Sequence, residues 1–300
     1  MSKPTLLDAF EGGTTHLYIG PPGTGKSHLC GSICELIDPE KVVLIAPKPR
    51  EINSYLYTKY GLNKRAQIFR DHRWAPAVDS YEADGYLRLM RYLLSLYEDK
   101  ETQAVILDPL TDAVQLAAHD LLKAERAATP RELRDSIGFY GALRYKLKDM
   151  VQTLVGLASA DLPRPKHVLV TIHAQPAKEE DIKGKETADA KAKGIEFFGD
   201  VLPMMEGGYR RELAGEFDIV GYTGVRYEFE KRPDGKDDYT KGRRPRYYVQ
   251  LAPDQERHAK IAISPALAEK ELPNTVAAIL DAVLKAQQAG AAQASTPGLG

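Results

Sequence analysis

The chain contains 300 residues, 43% of them hydrophobic and 28% charged, as in ordinary soluble proteins that form a core without disulfides. The formal net charge of −1 excludes a general attraction to nucleic acid or anionic membranes, so any such affinity has to come from local patches. For the two cysteines, Cys30 and Cys34, we expect buried free thiols in a reducing cytoplasm rather than a zinc site. Because the sequence has neither a signal-peptide pattern nor an apolar run of about eighteen residues, we expect a cytoplasmic protein without a membrane partner.

Apolar runs alternate with helical patterns over the first 175 residues. Predicted strands are Thr15–Gly20, Lys41–Ala46, Ala66–Phe69, Gln103–Asp108 and His167–Ile172. Predicted helices are Ser27–Leu36, Tyr86–Tyr97, Thr111–Ala127 and Gly138–Ser159. This alternation predicts an α/β fold with a mostly parallel sheet that is flanked by helices on both faces.

The C-terminal part of the chain has a different pattern. Pro176–Gly208 is polar, Lys-rich and interrupted by glycines, which predicts a mobile loop. Further strands are predicted at Phe217–Tyr222, Val225–Lys231 and Arg246–Leu251, followed by a helix at Pro273–Gln287. Low-complexity composition at the end predicts disorder. We therefore expect one domain over residues 1–285, with C-terminal strands that extend the sheet or pack on its edge, and a flexible tail over 286–300.

The segment from Gly20 to Ser27, GPPGTGKS, matches the phosphate-binding pattern G-x-x-x-x-G-K-[ST] between a predicted strand and a predicted helix. Glycines let successive backbone N–H groups curl around phosphate oxygens, and the helix N-terminus adds its dipole. Lys26 is expected to reach the β- and γ-phosphates, and the Ser27 hydroxyl to bind Mg²⁺. The nucleotide-binding candidates are Gly20, Pro21, Pro22, Gly23, Thr24, Gly25, Lys26, Ser27 and the adjoining His28.

A second ligand for the magnesium ion is expected on a neighbouring strand. Asp108 closes the apolar run AVILD and is the candidate, since phosphate-binding loops pair with such an aspartate. The alternative is an ordinary aspartate that opens a turn before Pro109. The expected ligands of the protein are thus ATP and Mg²⁺, with adenine as the default because no guanine-reading N/T-K-x-D segment stands out.

Polar residues also follow the strand His167–Ile172. His173, with Gln175 nearby, would lie in the ligand crevice at the end of a parallel strand and could contact the γ-phosphate or position water. The alternative is a histidine that only caps the strand.

A general base is harder to assign. The position after Asp108, where many ATPases carry glutamate, is Pro109, and the strand Lys41–Ala46 ends without a carboxylate. Glu51 lies several residues further on and could fold back, or it could be a solvated loop residue. A weak base predicts slow intrinsic turnover.

Several segments stand in a characteristic order: GPPGTGKS, LDPLT from Leu107, Phe139-Tyr140-Gly141, VLVTIHAQ, VLPMMEGG from Val201 and FDIV from Phe217. Over residues 14 to 275, this order resembles the RecA-like AAA-type P-loop ATPases of bacteriophages, whose better-known members are recombination or single-strand-annealing proteins. Only the phosphate loop is specific by itself; the remainder is order and spacing. Two departures are the missing glutamate and the long Lys-rich loop.

The resemblance implies a RecA-like core with the nucleotide at a subunit interface, hence a homo-oligomer in the cytoplasm of a bacterial host. It also implies a basic residue near the C-terminal strands that reaches the neighbouring subunit's phosphates. Lys260 is the candidate for this catalytic role, with Arg257 second.

Two basic stretches are candidates for single-stranded DNA binding. Lys183–Lys193 occupies the place where the resembled proteins carry a DNA-binding loop, and Lys241–Arg246 combines charge with the aromatic pair Tyr247-Tyr248. Either could equally be a solvated loop, and acidic residues nearly cancel the first group.

Three functions compete at this point. The leading hypothesis is a phage-type, Mg²⁺-dependent ATPase that acts as an oligomer on single-stranded DNA in recombination or replication. The second is an ATP-binding regulatory or scaffold module with little turnover, which the doubtful base favours. The third is a small-molecule P-loop kinase, although no Arg-rich lid is evident.

Overall fold

The computed structural model describes residues 6–10, 12–69, 85–127, 129–176, 201–205, 209–233, 235–236, 238–251, 260–261 and 271–294. The strands are β1 (Thr15–Gly20), β2 (Val42–Ala46), β3 (Gln67–Ile68), β4 (Ala104–Leu107), β5 (His167–Pro176), β6 (Val201–Pro203), β7 (Ile219–Phe229), β8 (Arg243–Gln250), β9 (Lys260–Ile261) and β10 (Glu271–Pro273). The α-helices are α1 (Lys26–Gly31), α2 (Tyr55–Lys59), α3 (Leu62–Arg65), α4 (Gly85–Ser95), α5 (Leu110–Ala124), α6 (Ser136–Gly156), α7 (Tyr209–Glu212) and α8 (Val276–Ala294). Short 3₁₀ helices span Leu6–Ala9, Ser32–Glu35, Pro39–Lys41, Pro49–Asn53, Pro130–Glu132 and Leu213–Glu216.

The strands form one sheet in the order β10-β8-β7-β1-β5-β4-β2-β3, with β6 added to β5 and β9 to β7. The pairs from β7 across to β3 are parallel, whereas β8, β9 and β10 are antiparallel to their neighbours. This architecture confirms the predicted mostly parallel sheet with antiparallel strands toward the C-terminus. Strand β5 lies between β1 and β4, so the ends of β1, β5 and β4 share one edge of the sheet.

Helices cover both faces because side chains of the central strands alternate between two cores. On one face, Leu17, Val105 and Val168 join a buried cluster with residues of α4, α5 and α6. On the other face, Tyr18, Ile106 and Leu169 pack with residues of α1 and α8. The two cysteines belong to this second core as buried free thiols, as predicted.

The structure differs from the predicted elements most clearly in four places. The helix predicted over Ser27–Leu36 leaves the α-helical path after Gly31, where Ser32 turns its hydroxyl to the Leu29 carbonyl. Strand β5 continues to Pro176, because β6 supplies an antiparallel partner within the predicted mobile loop Pro176–Gly208. The other parts of that loop, 177–200 and 206–208, lie outside the described residues.

The two strands predicted at Phe217–Tyr222 and Val225–Lys231 are one strand, β7. Gly224 does not break it, because the Tyr248 ring packs directly over the position that a side chain would occupy. At the C-terminus, α8 extends to Ala294, so residues 286–294 are helical where a flexible tail was predicted. Alanine and glutamine, which dominate this segment, are good helix formers.

None of the helices in the described part of the chain is both long enough and apolar enough to cross a membrane.

Candidate active site

The phosphate-binding loop connects the end of β1 to the start of α1, at the edge where β5 and β4 also end. Gly23 and Gly25 adopt φ angles of 80° and 84°, in the left-handed region that only glycine enters without strain. At Gly20, an added Cβ would lie 2.2 Å from the Thr223 hydroxyl oxygen of β7. The glycines are therefore required by conformation and by space, as the predicted anion-binding loop demands.

The rest of the loop differs in exposure. Pro21, Pro22 and His28 are exposed, and Ser27 is half-buried in the first turn of α1. Thr24 is buried, and its hydroxyl donates to the Pro21 carbonyl at 2.8 Å and lies 2.7 Å from the Thr223 hydroxyl. The loop is thus open to solvent on one side and attached to β7 on the other.

Lys26 is buried inside the loop. Its ammonium donates to the carbonyl oxygens of Gly20 at 2.7 Å and Pro21 at 2.8 Å. Burial lowers the Lys26 pKa to about 8, although the carboxylates of Asp108 and Glu51 oppose this shift. A phosphate anion would replace the weak carbonyl acceptors with charged ones and raise that pKa again.

Asp108 directly follows β4 and is 2% exposed. Its Oδ2 accepts a hydrogen bond from the Tyr57 hydroxyl at 3.0 Å, and its Oδ1 accepts one from the Thr171 hydroxyl. Both partners were missed in the sequence analysis. Thr171 could have been noticed as the one polar residue within the apolar run VLVTI, whereas nothing marks Tyr57, which lies on α2 far along the chain.

Ser27 and Asp108 are chemically suited to a magnesium ion. Hydroxyl and carboxylate oxygens are the hard donors that Mg²⁺ takes, usually with few protein ligands and several waters. The two hydroxyls that bond to Asp108 fix the orientation of its carboxylate, as partners of metal ligands commonly do. The donor set therefore fits the ion that the phosphate loop implies.

His173 pairs with Gly20 in the register of β5 and β1, so it is level with the start of the phosphate loop. Its backbone N–H donates to the Thr111 hydroxyl at 3.1 Å, and its Nδ1 atom is buried without a hydrogen-bond partner among the described residues. Burial, followed by the positive charge of Lys26, lowers the His173 pKa and keeps the ring neutral at pH 7. A buried unpaired nitrogen of this kind is rare and fits a group that bonds to a ligand.

Glu51 lies on the 3₁₀ turn Pro49–Asn53 after β2 and is partly buried. Burial raises its pKa, and the nearby carboxylates of Asp108 and Asp112 raise it further. Asp112 itself forms an ion pair with Lys48, which also donates to Gln115 at 3.0 Å. Glu51 is thus close to the charges of the candidate site, and Lys48 is a further charged residue there that the sequence analysis missed.

The backbone of Lys260 does not lie at the sheet edge that carries the phosphate loop. It pairs with Val220 on β7, which in turn pairs with Leu17, three residues before Gly20. A contact to the phosphates of a neighbouring subunit remains a prediction. Arg257 and the basic stretch Lys183–Lys193 lie outside the described residues, and of Gln175 only the backbone pairing with Leu202 is described.

The second basic stretch lies on the exposed part of β8 and the turn before it. Two of its arginines are paired with acidic residues of the same hairpin: Arg244 contacts Glu230 at 2.6 Å, and Arg246 contacts Glu228 at 3.3 Å. Arg243 lies over the Phe229 ring, 5.0 Å from its centroid. Lys241 also contacts Glu230, at 3.3 Å. These pairs reduce the positive potential available to a DNA backbone.

Comparisons with known proteins agree with the phosphate loop. A family model described as AAA domain matches residues 13–263. No curated protein matches the chain in sequence.

Among solved structures, the flagellar accessory protein FlaH from Methanocaldococcus jannaschii is similar at 14% identity and a TM-score of 0.39, covering 87% of this chain and 84% of that one. An ATPase from the type III secretion system of pathogenic bacteria is similar at 14% identity and a TM-score of 0.36. That match covers 70% of this chain and 52% of the other, about half its length. Likenesses this distant say nothing about the function of this chain.

Proposed function

The chain belongs to the AAA-domain family, and from this premise we propose that it binds ATP with Mg²⁺ through the loop from Gly20 to Ser27 and hydrolyses it. The chain is a P-loop NTPase with a RecA-like core. The observation that carries the proposal is the placement of Lys26, whose buried ammonium lies inside the loop at the edge shared with Asp108 and His173.

In the proposed mechanism, the loop holds the phosphates and balances their charge. Backbone N–H groups of the loop and the N-terminus of α1 donate to phosphate oxygens, and Lys26 reaches the β- and γ-phosphates. Ser27 and Asp108 would hold the magnesium ion, which would supply positive charge beside the phosphates. Tyr57 and Thr171 keep the Asp108 carboxylate oriented for this task.

Glu51 and His173 are proposed to act on the attacking water. Glu51 takes one proton from the water. The water oxygen bonds to the γ-phosphorus as the bond between that phosphorus and the ADP oxygen breaks. The raised Glu51 pKa supports this role, since a base works best when its pKa approaches the working pH. Neutral His173 forms a hydrogen bond with the γ-phosphate or with the water, and its ring adds no charge to the site.

We further propose that the protein works as a homo-oligomer on single-stranded DNA, in phage recombination or replication, with Lys260 contacting the neighbouring subunit's nucleotide. The resemblance of the motif order supports this finer assignment. The DNA contact would fall on one of the two basic stretches, Lys183–Lys193 or Lys241–Arg246. In the second stretch, Arg244 and Arg246 are paired with Glu230 and Glu228.

A second candidate is an ATP-binding switch with little turnover. One observation favours it: the phosphate loop is hydrogen-bonded to the C-terminal elements through Thr24 with Thr223 and through the Gly25 carbonyl with the Asn274 amide at 2.9 Å. Movement of the loop on nucleotide binding would therefore be passed to β7 and α8.

Phosphate release from ATP and Mg²⁺ tests these alternatives, with and without single-stranded DNA. We expect turnover in the wild-type protein that DNA stimulates and that disappears in Lys26→Ala. The matched control is Lys64→Ala, an exposed lysine on α3, which should behave like the wild type. ATP binding without turnover under every condition would favour the switch, and turnover that DNA never changes would remove the DNA assignment.

A further inference from the structure

We infer that Tyr247 and Asn274 form the nucleobase side of the site and make it select adenine over guanine; this inference rests on the proposed ATP-binding function. Neither residue belongs to the phosphate loop or to the catalytic edge. Both come from the C-terminal elements, Tyr247 from β8 and Asn274 from the turn between β10 and α8.

The order of the strands gives the direction in which the nucleoside lies. The groups proposed to act on the γ-phosphate are His173 within β5, Asp108 after β4 and Glu51 after β2. These three strands are all on one side of β1. A triphosphate with its γ end on that side directs its nucleoside to the other side, toward β7 and β8. Strand β8 is two strands away from β1, a distance of about 10 Å, which suits the reach from the phosphates to a base.

Tyr247 provides an aromatic surface at that place. An ideal Cβ added to Gly25 would lie 3.0 Å from Tyr247 Cδ1, so the ring lies against the phosphate loop itself. The residue is nevertheless 42% exposed. Tyr247 shares its face of β8 with the buried Val249, and this face packs on the side of α1 and α8. A tyrosine ring that touches the loop and is open to solvent can stack on a base.

Asn274 provides a hydrogen-bonding group beside the ring. Its side-chain Nδ2 donates to the Gly25 carbonyl at 2.9 Å, and this bond fixes the amide orientation. The residue is 6% exposed, and its Oδ1 atom is buried without a hydrogen-bond partner among the described residues. An orphaned acceptor costs stability unless a donor arrives.

This acceptor distinguishes the two purines. Adenine carries the N6 amino group, a donor, at the position where guanine carries the O6 carbonyl, an acceptor. The Oδ1 of Asn274 can accept from adenine N6–H but would face guanine O6 without a proton between them. The ring of Tyr247 stacks on either base, so Tyr247 supplies affinity and Asn274 supplies selectivity.

Equilibrium binding of three probes tests the inference: ATP, GTP and inorganic tripolyphosphate, each with Mg²⁺. In Tyr247→Ala we expect ATP and GTP to bind about 5- to 150-fold more weakly, from the typical stacking contribution of an aromatic side chain. Tyr247→Phe keeps the ring and should bind ATP like the wild type. Tyr145→Ala, a 78% exposed tyrosine on α6, is the matched control and should change nothing.

In Asn274→Ala we expect the ratio of ATP affinity to GTP affinity to fall about 2- to 12-fold, the value of one neutral hydrogen bond. Tripolyphosphate affinity should stay within twofold in the Tyr247 variants, which shows that the loop remains intact. Unchanged ATP affinity in Tyr247→Ala, or an unchanged ratio in Asn274→Ala, would overturn the inference and leave the proposed function standing. If the wild-type protein binds neither ATP nor tripolyphosphate, the proposed function itself fails.

Discussion

Strand β5 carries one histidine near each end, and their surroundings differ. At the start of the strand, His167 Nδ1 lies 2.8 Å from the Thr14 hydroxyl, which also lies 2.7 Å from His16 Nε2. His16 Nδ1 in turn lies 2.8 Å from the Tyr18 hydroxyl. Burial lowers the pKa of His167 to about 4 and that of His16 to about 3, so both rings stay neutral. Their buried polar network is connected within the protein.

Toward the other end of the strand, His173 Nδ1 is buried and has no partner among the described residues, while Lys26 and Asp108 act on its charge. Hydrogen-bonded groups such as those at His167 are compatible with a stable core, whereas an unpaired buried nitrogen costs free energy of folding. The difference indicates that the first histidine serves the fold and that the second is available to a ligand.

Among the variants that test this comparison, Asp108→Asn is expected to change the hydrolysis rate most. The substitution keeps the shape but removes the charge that holds the metal ion, so we expect hydrolysis to fall about 100- to 1,000-fold. Thermal unfolding should change little, since the amide can still bond to the hydroxyls of Tyr57 and Thr171. Activity within threefold of the wild type would place the magnesium site elsewhere.

The second prediction concerns the stability of the protein in acid, which depends on the buried histidines His16 on β1 and His167 at the start of β5. The unfolded chain binds protons at His16 and His167 below pH 6.5, whereas the folded protein does not until about pH 3 and pH 4. Stability is therefore fully present above pH 6.5 and is lost as the pH falls below it, by about 2 kcal/mol per histidine at pH 5. Urea unfolding at pH 7 and pH 5 measures this loss, and His167→Gln should reduce it. An equal free energy of unfolding at both pH values would contradict the buried neutral network.

The third prediction compares the two histidines directly. His173→Ala should lower the turnover number about tenfold or more, with the free energy of unfolding nearly unchanged, because only an unsatisfied group is removed. His167→Ala should do the reverse, since it leaves the Thr14 hydroxyl short of a partner and opens a cavity. Steady-state kinetics and urea unfolding of both variants measure these effects. Equal losses of turnover and of unfolding free energy in the two variants would contradict the different roles of the two histidines.

The smallest effect is expected from Thr171→Val, which removes the hydroxyl that orients Asp108. We expect turnover to fall only a few-fold, about 3- to 10-fold, because Tyr57 still bonds to the other carboxylate oxygen. A higher Mg²⁺ concentration should restore part of the rate. A loss that magnesium does not change would assign Thr171 a purely structural role.

The sequence predicted the parts of the site that are local along the chain. The loop from Gly20 to Lys26 follows from one contiguous pattern, and Asp108 follows from an apolar run with a carboxylate at its end. Tyr57 and Asn274 could not be predicted, because each belongs to a segment that is distant in sequence and reaches the site through tertiary packing.

The errors in the fold have a similar cause. Strand β5 extends past His173 because β6 pairs with it, and this partner leaves no signal in the strand itself. Glu51 was ambiguous in sequence because the carboxylates that shift its pKa, Asp108 after β4 and Asp112 on α5, are distant along the chain.

The central claim is that the buried ammonium of Lys26 receives the phosphates of a nucleotide. Equilibrium binding of ATP with Mg²⁺ at pH 7 to the wild-type protein and to Lys26→Ala tests it most directly, with circular dichroism to verify folding. The account predicts that the wild type binds ATP and that the variant, although folded, binds it at least about 100-fold more weakly. Equal affinity of the folded variant and the wild type would contradict it.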